Sequence, residues 1–430
     1  MGFDDWKIMT LRRKQQLWYI LADLLSAEVV WLLFLGFRWL VYEGKVLSME
    51  TVVVPAFNFY TPLVVYPLVC LIVYYLSGYY LRPLQKPILR ELWRTLASAA
   101  VISVVFFFGI VIDDQVDNYH RYFVSLAVLF ALQFTVSYIP RLLITLLSRK
   151  RGKKRVQTVH SIEEARKLDA GKVDEVIIDM PDGAGEDEIY NYINILYPLS
   201  VEIAVRPRLY DILTGAAQIN EVGEPPLVRI TEHKMSDSGL CIKRATDICV
   251  SLLVITLFSP LYALIAILVA CSSKGPVLYR QERIGQHGLP FRILKFRTMY
   301  DHAEQETPQL SADNDPRITP VGRWLRKYRL DELPQMWNIL VGEMSLVGPR
   351  PERAYFIRQI EERAPYYCIL YKVRPGLTSW GPVRVGYTDT IEKMVERLNC
   401  DIAYIENMSL TLDIKILFFT IGVLLRGKGQ

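Results

Sequence analysis

Two adjacent acids, Asp331 and Glu332, are the residues of this chain best placed to do chemistry. Pro334 follows them, and proline fits the first turn of a helix because its missing N–H is not needed there. The pattern predicts that both carboxylates lie at a helix start, where free backbone N–H groups and the helix dipole attract anions. A Gly-Pro-Arg turn that ends at Arg350 comes shortly afterwards. Together these features indicate a carboxylate nucleophile or metal ligand beside a phosphate-binding turn.

Each of these features, taken alone, also has an ordinary structural explanation. An acidic pair at a helix start usually caps the helix, and Gly-Pro usually marks only a turn. The complete string from Leu330 to Arg353 is far more specific. It closely resembles the signature of the bacterial sugar transferases, the monotopic polyprenyl-phosphate phosphoglycosyl transferases. In that family the acids that match Asp331 and Glu332 are the catalytic dyad.

Basic residues are frequent in the sequence around this acidic pair. Lys295 and Arg297 alternate in one segment, so they would share one face of a β-strand. Arg326 precedes the pair, and Arg374 follows in a Val-Arg-Pro-Gly string. Each cation taken alone is better explained as a lipid-headgroup contact or as solvated surface. If they converge on the acidic pair, they suit a substrate that carries a diphosphate.

The resemblance covers about residues 241–430 and implies a role for each matching residue. Asp331 would attack the sugar-proximal phosphorus of a UDP-sugar and would hold Mg²⁺ against the diphosphate. Glu332 would accept a proton or position the substrate. Arg326 would pair with a phosphate or with the dyad. Substrate and phosphate binding would fall to Lys295, Arg297, Arg326, Gly348, Pro349, Arg350 and Arg374. The chain departs from the family at Tyr328-Arg329, where relatives often carry smaller polar residues.

The N-terminal part of the chain has the composition of a membrane protein. The whole chain is 51% hydrophobic, and four apolar segments have the length of membrane spans: Leu17–Tyr42, Phe57–Tyr80, Thr95–Ile112 and Tyr122–Pro140. Basic residues are frequent before the first segment, between the second and third, and after the fourth, and they are sparse in the other two loops. Residues 1–150 are therefore predicted to form a four-helix transmembrane bundle with both ends in the cytoplasm.

Other chemically capable residues carry weaker signals. Asp23 and Glu28 lie inside the first apolar segment, and an acid within a membrane is a functional candidate by default. The alternative, a buried pair or a residue near the interface, is favoured because Asp23 is close to the cytoplasmic end. The six cysteines are scattered without Cys-x-x-Cys spacing, so neither a zinc site nor a disulfide framework is indicated.

Residues 151–235 change to the pattern of a small soluble α/β domain. The pattern predicts two helices and two strands, at Ile162–Leu168, Val173–Met180, Asp187–Leu199 and Val201–Val205. This alternation resembles the truncated Rossmann-like domain of long sugar transferases. Gly183 and Gly185 follow a strand, but the third glycine of the dinucleotide fingerprint is missing, so no nucleotide is assigned. A spacer or oligomerisation role is predicted, the latter in a homodimer.

Residues 236–430 are predicted to form a mainly helical catalytic domain with its own membrane segment. An apolar run at about 245–271 is long enough to cross a bilayer, but Ser259 and Pro260 interrupt it at the middle. Basic residues flank both of its ends, which favours a re-entrant hairpin over a fifth ordinary span. The sugar transferases have a similar break. Leu410–Leu425 is apolar but carries two charges, and it is predicted to be an interfacial helix.

The combined expectation is an enzyme of the bacterial cytoplasmic membrane with its catalytic domain on the cytoplasmic face. The resemblance implies transfer of a sugar-1-phosphate from a UDP-sugar to polyprenyl (undecaprenyl) phosphate, with release of UMP and with Mg²⁺ as cofactor. This would be the first membrane step of capsule, exopolysaccharide or O-antigen synthesis, without a nucleic-acid partner. Two alternatives remain: a glycosyl transferase that releases UDP, and a non-catalytic membrane scaffold or regulator of polysaccharide export. No recognisable residue identifies the sugar.

Overall fold

The computed structural model describes residues 3–41, 57–81, 88–108, 119–149, 155–169, 173–181, 186–199, 201–214, 217, 225–231, 234–300, 315–381 and 390–425. The chain divides into two compact units, Met1–Lys154 with Ser236–Ile242 and Arg155–Met235 with Lys243–Gln430. The α/β segment and the predicted catalytic segment from Lys243 onwards therefore belong to one unit, and the division into three domains stays a prediction. Gly183, Gly185 and many of the loop charges used above lie outside the described residues.

Long helices build the first unit. They are α1 (Phe3–Val41), α2 (Phe57–Leu76), α3 (Ile88–Phe106) and α4 (Tyr119–Arg149). Within the described residues, two stretches are long and apolar enough to cross a membrane, Gln15–Arg38 and Tyr122–Leu147, and a shorter apolar stretch occupies Leu63–Leu76. The chain thus carries membrane-type helices, whereas the four-span bundle stays a prediction. Pro140 was expected to end the fourth segment, but it lies inside α4, which continues to Arg149.

A buried ion pair lies inside the first unit. Arg141 Nε is 2.6 Å from Asp23 Oδ1, and the Tyr80 hydroxyl donates to Asp23 Oδ2 at 2.7 Å. The rings of Tyr74 and Tyr79 stack on the Arg141 guanidinium, 3.7 and 3.9 Å from its central carbon. Asp23 is therefore one partner of a buried pair, the structural alternative favoured from the sequence. Removing either charge would leave the other uncompensated, which typically costs about 3–5 kcal/mol.

A four-stranded sheet with flanking helices begins the second unit. Its elements are β1 (Val156–Val159), α5 (Ile162–Arg166), β2 (Glu175–Ile178), α6 (Glu186–Leu196), β3 (Glu202–Val205), α7 (Leu209–Leu213) and β4 (Val228–Arg229). The first three strands are parallel neighbours in chain order, and β4 runs antiparallel at the edge. Both predicted strands and both predicted helices are present, with α6 passing into a 3₁₀ turn at Tyr197–Leu199. The sequence pattern missed β1, α7 and β4.

The α/β segment packs on the C-terminal part of its unit. The Tyr190 and Tyr366 rings lie 5.1 Å apart, and Cys368 Sγ donates to Asn194 Oδ1 at 3.0 Å. Lys372 Nζ donates to the carbonyl of Ile230 at 2.9 Å. These contacts all reach the 3₁₀ segment Pro365–Lys372, which leads directly to Arg374. The α/β segment is thus attached to the region that carries the predicted site.

The remaining elements form the C-terminal part of the chain, which contains the acidic pair. They are α8 (Asp237–Leu257), α9 (Ser259–Ser272), β5 (Leu278–Ile284), β6 (Pro290–Phe296), α10 (Pro320–Lys327), α11 (Gln335–Val341), β7 (Ser345–Val347), α12 (Ala354–Glu361), β8 (Gly376–Thr378), α13 (Ile391–Glu406) and α14 (Leu410–Leu425). Strands β5 and β6 form an antiparallel hairpin, and β7 pairs with β8 in parallel. The predicted break at Ser259 and Pro260 is confirmed: α8 and α9 meet there at 64°. The bounds predicted for α14 are also confirmed.

Candidate active site

The acidic pair lies in a tight turn between two helices. Asp331 and Glu332 belong to a 3₁₀ turn, Leu330–Glu332, and each is only 8% exposed. Arg329 precedes the turn in the left-handed region, with φ of 51°, and so reverses the chain after α10. The expectation that the acids open an α-helix is wrong in detail. Pro334 still lies before the first residue of α11, so the acids precede that helix by a turn.

Three cations from separate parts of the unit surround Glu332. Lys295 Nζ of β6 is 2.9 Å from Glu332 Oε1. Arg350 Nη2 is 3.6 Å from the same oxygen, and Arg329 Nη1 is 3.8 Å from Oε2. The structure therefore brings together Lys295, Arg350 and the acidic pair, as the sequence predicted. Arg329 belongs to this group too, although its position beside the pair was treated only as a departure from the family.

The charge balance differs between the two carboxyls. Burial alone would raise the pKa of Glu332, but the charges of Lys295, Arg350 and Arg329 outweigh it and hold that pKa far below its ordinary value. Burial raises the pKa of Asp331, and the neighbouring Glu332 adds to this rise, while Lys295 and Arg326 oppose it. Glu332 is consequently a firmly ionised group that holds its cations in place, and Asp331 is the less strongly paired carboxyl.

Arg326 acts on the pair through its charge. Its Nε donates to Thr298 Oγ1 at 2.9 Å, which fixes the guanidinium beside the end of β6. From there the positive charge lowers the pKa of Asp331. The close packing of α10 on this segment depends on Gly322, since a Cβ atom there would lie 2.1 Å from the Thr298 carbonyl oxygen. Arg326 is thus placed near Asp331, as predicted.

Arg297 is not directed at the acidic pair. It is 7% exposed, and its guanidinium donates to the carbonyls of Pro276, Val269 and Ser273, at 2.5, 3.3 and 2.7 Å. These carbonyls belong to the end of α9 and the chain just after it, where helix carbonyls lack intrahelical partners. The strand ends at Phe296, so Lys295 and Arg297 do not share a strand face as expected. Arg297 therefore holds the end of α9 against the catalytic segment.

The Gly-Pro-Arg turn is held by close backbone packing between β7 and β8. Gly348 N donates to the Thr378 carbonyl at 3.0 Å, and Gly376 N donates to the Pro349 carbonyl at 2.9 Å. A Cβ atom at position 348 would lie 2.4 Å from the carbonyl oxygen of Arg374. Glycine is therefore required here by the approach of the neighbouring strand. The predicted members Gly348, Pro349 and Arg374 lie together at this contact.

A buried acid that sequence reasoning missed supports Arg350. Asp401 Oδ2 accepts the backbone N–H of Arg350 at 3.4 Å, and Oδ1 accepts that of Gly381 at 3.2 Å. Burial raises the pKa of Asp401 to about 6, against the lowering effects of Arg397 and these hydrogen bonds. Nothing in the local pattern of α13 marks this residue, because its partners are distant in sequence. Asp401 positions the turn without touching the acidic pair.

The raised pKa of Asp401 predicts a pH effect on stability. Because the folded chain favours the protonated form, this group destabilises the unit above about pH 6, and the penalty disappears as the pH falls towards 4. The full effect is on the order of 3 kcal/mol. When the pH is lowered from 7 to 5, we expect the thermal midpoint of the unmodified chain to rise more than that of Asp401→Asn. Glu396→Gln, an exposed acid on the same helix, is the matched control. Identical pH dependence in Asp401→Asn would contradict the assignment.

A second buried network fastens the β5–β6 hairpin to the segment after Arg350. Arg283 Nη1 is 2.9 Å from Glu352 Oε2, and Arg397 pairs with the other oxygen of Glu352. Ile284 N also donates to the Glu352 carbonyl at 3.0 Å. Burial would raise the pKa of Glu352, but Arg397, Arg283 and Arg350 hold it below the ordinary value. The acid therefore stays charged and joins the hairpin, the Gly-Pro-Arg turn and α13.

An apolar groove of about 620 Å³ lies at Pro334, two residues after the acidic pair. Its walls come from α8, α9, the β5–β6 hairpin and the start of α11. They include Ile255, Tyr262, Ala266, Leu278, Phe296 and Trp337. The Tyr262 hydroxyl donates to the carbonyl of Leu333 at 2.7 Å, which ties α9 to the turn that carries the pair. The groove thus begins within a few residues of Glu332 and is lined almost wholly by hydrocarbon.

Comparison with known proteins identifies the family. Residues 238–427 match the model of the family described as bacterial sugar transferase. An Aeromonas hydrophila UDP-N-acetylgalactosamine-undecaprenyl-phosphate N-acetylgalactosaminephosphotransferase is 36% identical over 63% of this chain and 64% of its own. The exopolysaccharide production protein PSS of Rhizobium leguminosarum bv. phaseoli is 38% identical over 44% of this chain and 98% of its own.

The chain belongs to the bacterial sugar transferase family. A Caulobacter vibrioides UDP-glucose:undecaprenyl-phosphate glucose-1-phosphate transferase, 44% identical over 43% of this chain and 69% of its own, supports the same assignment. This sugar transferase spans less than two thirds of the length of its longer curated relatives, such as that of Aeromonas. The family match covers the whole site described above, including both acids and the Gly-Pro-Arg turn.

The donor set of this sugar transferase fits Mg²⁺ only in combination with a substrate. Among the residues that the structure describes, no group of three or more His, Cys, Asp or Glu side chains could hold a metal ion. Glu332 is occupied by three cations, which leaves Asp331 as the carboxylate available to a metal. Mg²⁺ is commonly bound by one or two carboxylates plus substrate phosphates and waters. One available carboxylate of the pair, Asp331, beside the Gly-Pro-Arg turn matches that mode of binding.

Proposed function

We propose that this protein transfers a sugar-1-phosphate from a UDP-sugar to polyprenyl phosphate and releases UMP. The observation that carries the proposal is the buried Asp331–Glu332 pair, with cations around Glu332 and with an apolar groove lined by the nearby Pro334. The names of the relatives support undecaprenyl phosphate as the acceptor and a UDP-sugar as the donor. The reaction would begin polysaccharide synthesis at the cytoplasmic face of the bacterial inner membrane.

The chemistry divides into two displacements at one phosphorus atom. An oxygen of Asp331 attacks the sugar-proximal phosphorus of the UDP-sugar, the bond to the bridging oxygen breaks, and UMP leaves with that bond's electron pair. The sugar phosphate is then held as an acyl phosphate on Asp331. A phosphate oxygen of the polyprenyl acceptor attacks the same phosphorus and displaces the Asp331 carboxylate. The product is a polyprenyl-diphospho-sugar, and the enzyme is restored.

The cations around the pair supply electrostatic stabilisation. Phosphoryl transfer depends mostly on positioning and on neutralising charge at the transferred group. Lys295, Arg326 and Arg350 come from three different elements and face the site of attack. Glu332 holds Lys295 and Arg350 in place, and its depressed pKa makes it a poor proton acceptor near neutral pH. Of the two roles expected for Glu332, the geometry therefore favours positioning.

Asp331 would also hold Mg²⁺ together with the diphosphate oxygens of the donor. When bound, the ion would neutralise charge on the transferred group and on the departing UMP. The support is the donor set, in which one available carboxylate lies next to the phosphate-binding turn. Arg350 and the backbone of Gly348 and Pro349 would bind the phosphate, and Arg374 would help to hold nucleotide or acceptor.

The helix pair α8–α9 would form a re-entrant membrane hairpin. Near one end, Arg244 donates to the carbonyls of Ile339 and Leu340 at 2.6 and 2.9 Å. Near the other end, Val269 packs against Phe296. Both arms thus return to the same catalytic segment, which a single straight span would not allow, because a helix as long as α8 extends about 30 Å. Apolar side chains face outward near the break, including Leu253, Leu257, Phe258, Leu264 and Ile267.

Cysteine labelling tests this topology. In a cysteine-free background, Ile242→Cys and Lys274→Cys lie near the two ends of the pair. We expect a membrane-impermeant maleimide to label both from the cytoplasmic side, because both arms start and end there. A cysteine at Phe258, beside the break, should be protected from both sides. Labelling of positions 242 and 274 from opposite sides would contradict the hairpin.

Helix α14 would lie at the membrane interface beside the hairpin. Asp413 turns inward, where Lys243 Nζ is 2.6 Å from Oδ2 and the Tyr404 hydroxyl donates to Oδ1 at 2.6 Å. The opposite face exposes Ile414, Phe418, Phe419 and Ile421. A helix with its acid neutralised on the protein side, and with an outer face that is apolar apart from the exposed Lys415, suits the boundary between headgroups and acyl chains.

The apolar groove would receive the first isoprene units of the acceptor. It lies between the membrane hairpin and the acidic pair, so an occupant chain would bring its phosphate towards Asp331. We expect Trp337→Ala to raise the KM for polyprenyl phosphate about tenfold, since an exposed aromatic side chain that a bound apolar chain covers typically contributes about 1–3 kcal/mol. The KM for the UDP-sugar should stay unchanged. Trp324→Ala removes another exposed tryptophan outside the groove and is the matched control. Equal effects on both substrates would exclude the groove as an acceptor site.

The proposal also includes the fold of the first unit, the fold of the α/β segment, and the assembly and pathway of the protein. The first unit would form a four-helix transmembrane bundle, supported by its two long apolar stretches and by the buried Asp23–Arg141 pair. The parallel β1–β3 sheet would be a truncated Rossmann-like domain, supported by its strand order. The protein would act as a homodimer on the pathway to capsule, exopolysaccharide or O-antigen.

Product analysis tests the proposed reaction. The purified chain in lipid, given polyprenyl phosphate, Mg²⁺ and a panel of UDP-sugars, should release UMP with one of them. Release of UDP would identify a glycosyl transferase instead. A folded chain that is inert with every donor would favour the scaffold or regulator. Omission of polyprenyl phosphate should limit release to about one UMP per chain, because the acyl phosphate then has no acceptor.

A further inference from the structure

We propose that the carboxyl edge of the β1–β3 sheet binds a small molecule that carries a phosphate monoester and neighbouring hydroxyl groups. Nucleoside monophosphates and sugar phosphates share this chemistry. A cavity of about 760 Å³ lies at this edge, outside the proposed active site. Its size is within the range of small-molecule pockets, about 300–1,000 Å³. In open parallel α/β sheets, ligands bind at the carboxyl ends of the strands.

Three parallel strands each deliver one polar side chain to this cavity. His160 follows β1, Asp179 follows β2 and Arg206 follows β3. The strand ends are in register, since Val159, Ile178 and Val205 are paired neighbours. Backbone hydrogen bonds continue one residue further, from Asp179 N to the Val159 carbonyl and from Arg206 N to the Ile178 carbonyl, both at 3.0 Å. The three side chains therefore start from one ordered row.

Asp179 is placed to accept hydroxyl groups. Arg206 Nη1 is 2.6 Å from Asp179 Oδ2, and His160 Nδ1 is 3.5 Å from the same oxygen. Within the part of the chain that the structure describes, no residue donates a hydrogen bond to Oδ1. A carboxylate just after the second strand of such a sheet is where ribose hydroxyls are bound in nucleotide-binding α/β folds. This second oxygen of a cavity-lining carboxylate thus suits one hydroxyl of a vicinal pair.

Arginines, not a helix end, would bind the phosphate. The first turn of α5 is already capped, because Ser161 Oγ accepts Glu164 N at 3.3 Å and Glu164 Oε2 accepts His160 N at 2.8 Å. The first strand is also followed by His160-Ser161 and not by glycines, so a pyrophosphate could not approach the backbone closely. Arg206 and Arg208 line the other wall of the cavity. Two guanidinium groups suit a single phosphate, which favours a monophosphate over a dinucleotide.

A surface ion pair without function is the competing explanation. Exposed pairs contribute only about 0–1 kcal/mol, so stability does not require this arrangement. It also does not account for a cavity with an apolar side, formed by Met180, Pro181 and Leu209, next to the charged row. An apolar wall, two arginines and the carboxylate of Asp179 match the base, the phosphate and the ribose of a nucleoside monophosphate.

Equilibrium dialysis of the full chain in detergent tests the site with radiolabelled UMP. The background is Arg350→Ala, so that the active site contributes less binding. We expect the added double change Arg206→Ala with Arg208→Ala to weaken UMP binding about tenfold or more, because charge-assisted hydrogen bonds are lost. Arg166→Ala, an exposed arginine of the same sheet segment outside the cavity, should leave binding unchanged. Unchanged binding in the double variant, with a normal thermal midpoint, would overturn the proposal.

Two further probes test the hydroxyl contact. Asp179→Asn should weaken UMP binding but not inorganic phosphate binding, and dUMP should bind the Asp179-containing chain more weakly than UMP does. Equal affinity for phosphate and UMP would remove the hydroxyl half of the proposal. If the natural ligand is a sugar phosphate, glucose 1-phosphate should compete with UMP for the site. Tighter binding of glucose 1-phosphate than of UMP would identify a sugar phosphate as the ligand. Because these experiments measure binding and not turnover, their outcome does not depend on whether the proposed transferase reaction is correct.

Discussion

Asp331→Asn should abolish turnover while the protein remains folded. The change keeps the size of the side chain but removes the negative charge needed for attack on phosphorus. It also removes the carboxylate that we propose as the Mg²⁺ ligand beside the Gly-Pro-Arg turn. We expect the rate of UMP release to fall about 10⁴-fold or more, as when other enzymes lose a nucleophile. Initial-rate assays with saturating polyprenyl phosphate measure this fall.

A trapping experiment separates the nucleophile from a residue that only binds. Brief reaction with a UDP-sugar labelled in its sugar-proximal phosphate, without acceptor, should leave label on the protein. Asp331→Asn should carry none, whereas Glu362→Gln, an exposed acid of the same unit, should be labelled normally. Label on Asp331→Asn at normal yield would assign the nucleophile to another residue and would return the dyad to a positioning role.

The sequence predicted those features that depend only on residues close together in the chain. The acidic pair, the Gly-Pro-Arg turn and the break at Pro260 all lie in short motifs whose residues restrict the backbone by themselves. Helix α14 was also predicted with its correct bounds, because Leu410–Leu425 is a mostly apolar stretch, interrupted only by Asp413 and Lys415 and followed by charged residues. Such features need no information about distant residues.

The sequence could not assign the cations correctly, because their partners are set by tertiary packing. Lys295 and Arg297 are two residues apart, yet one contacts Glu332 and the other the end of α9. The strand ends between them, so the alternation that predicted a common face does not apply. Arg329 reaches Glu332 only because its backbone adopts a left-handed conformation, which a pattern of residue types does not reveal.

The α/β segment shows a further limit of pattern reading. Strand β2 is almost wholly buried and apolar, so it stands out, whereas the first three residues of β1 are exposed and merge with the preceding basic stretch. Strand β4 is too short to carry any period. With β1 unrecognised, the row formed by His160, Asp179 and Arg206 could not be seen. Because the glycine fingerprint is absent, the sequence argued against a dinucleotide. It did not exclude a smaller ligand, such as the phosphate monoester proposed for this row.

Arg350→Ala should reduce UMP release about 10²–10³-fold, the typical loss when one charge-stabilising donor is removed from a transition state. Arg350 Nη2 is 3.6 Å from Glu332 Oε1, and its backbone N–H is held by Asp401, so the guanidinium lies beside the acidic pair, where the proposal places the transferred phosphate. Arg350→Lys keeps the charge but loses the planar fork, and its rate should fall between those of the other two forms.

Arg358→Ala, which removes an exposed arginine from nearby α12, controls for the general loss of positive charge and should retain normal turnover. A structural role for Arg350 would lower the thermal midpoint of both Arg350 variants and leave the yield of the trapped acyl phosphate per folded chain unchanged. A phosphate-binding role leaves the midpoint nearly constant and slows trapping in the order alanine, lysine, arginine, from slowest to fastest. Near-normal trapping and turnover in Arg350→Ala would remove this residue from the site, and Lys295 and Arg326 would then carry the charge stabilisation.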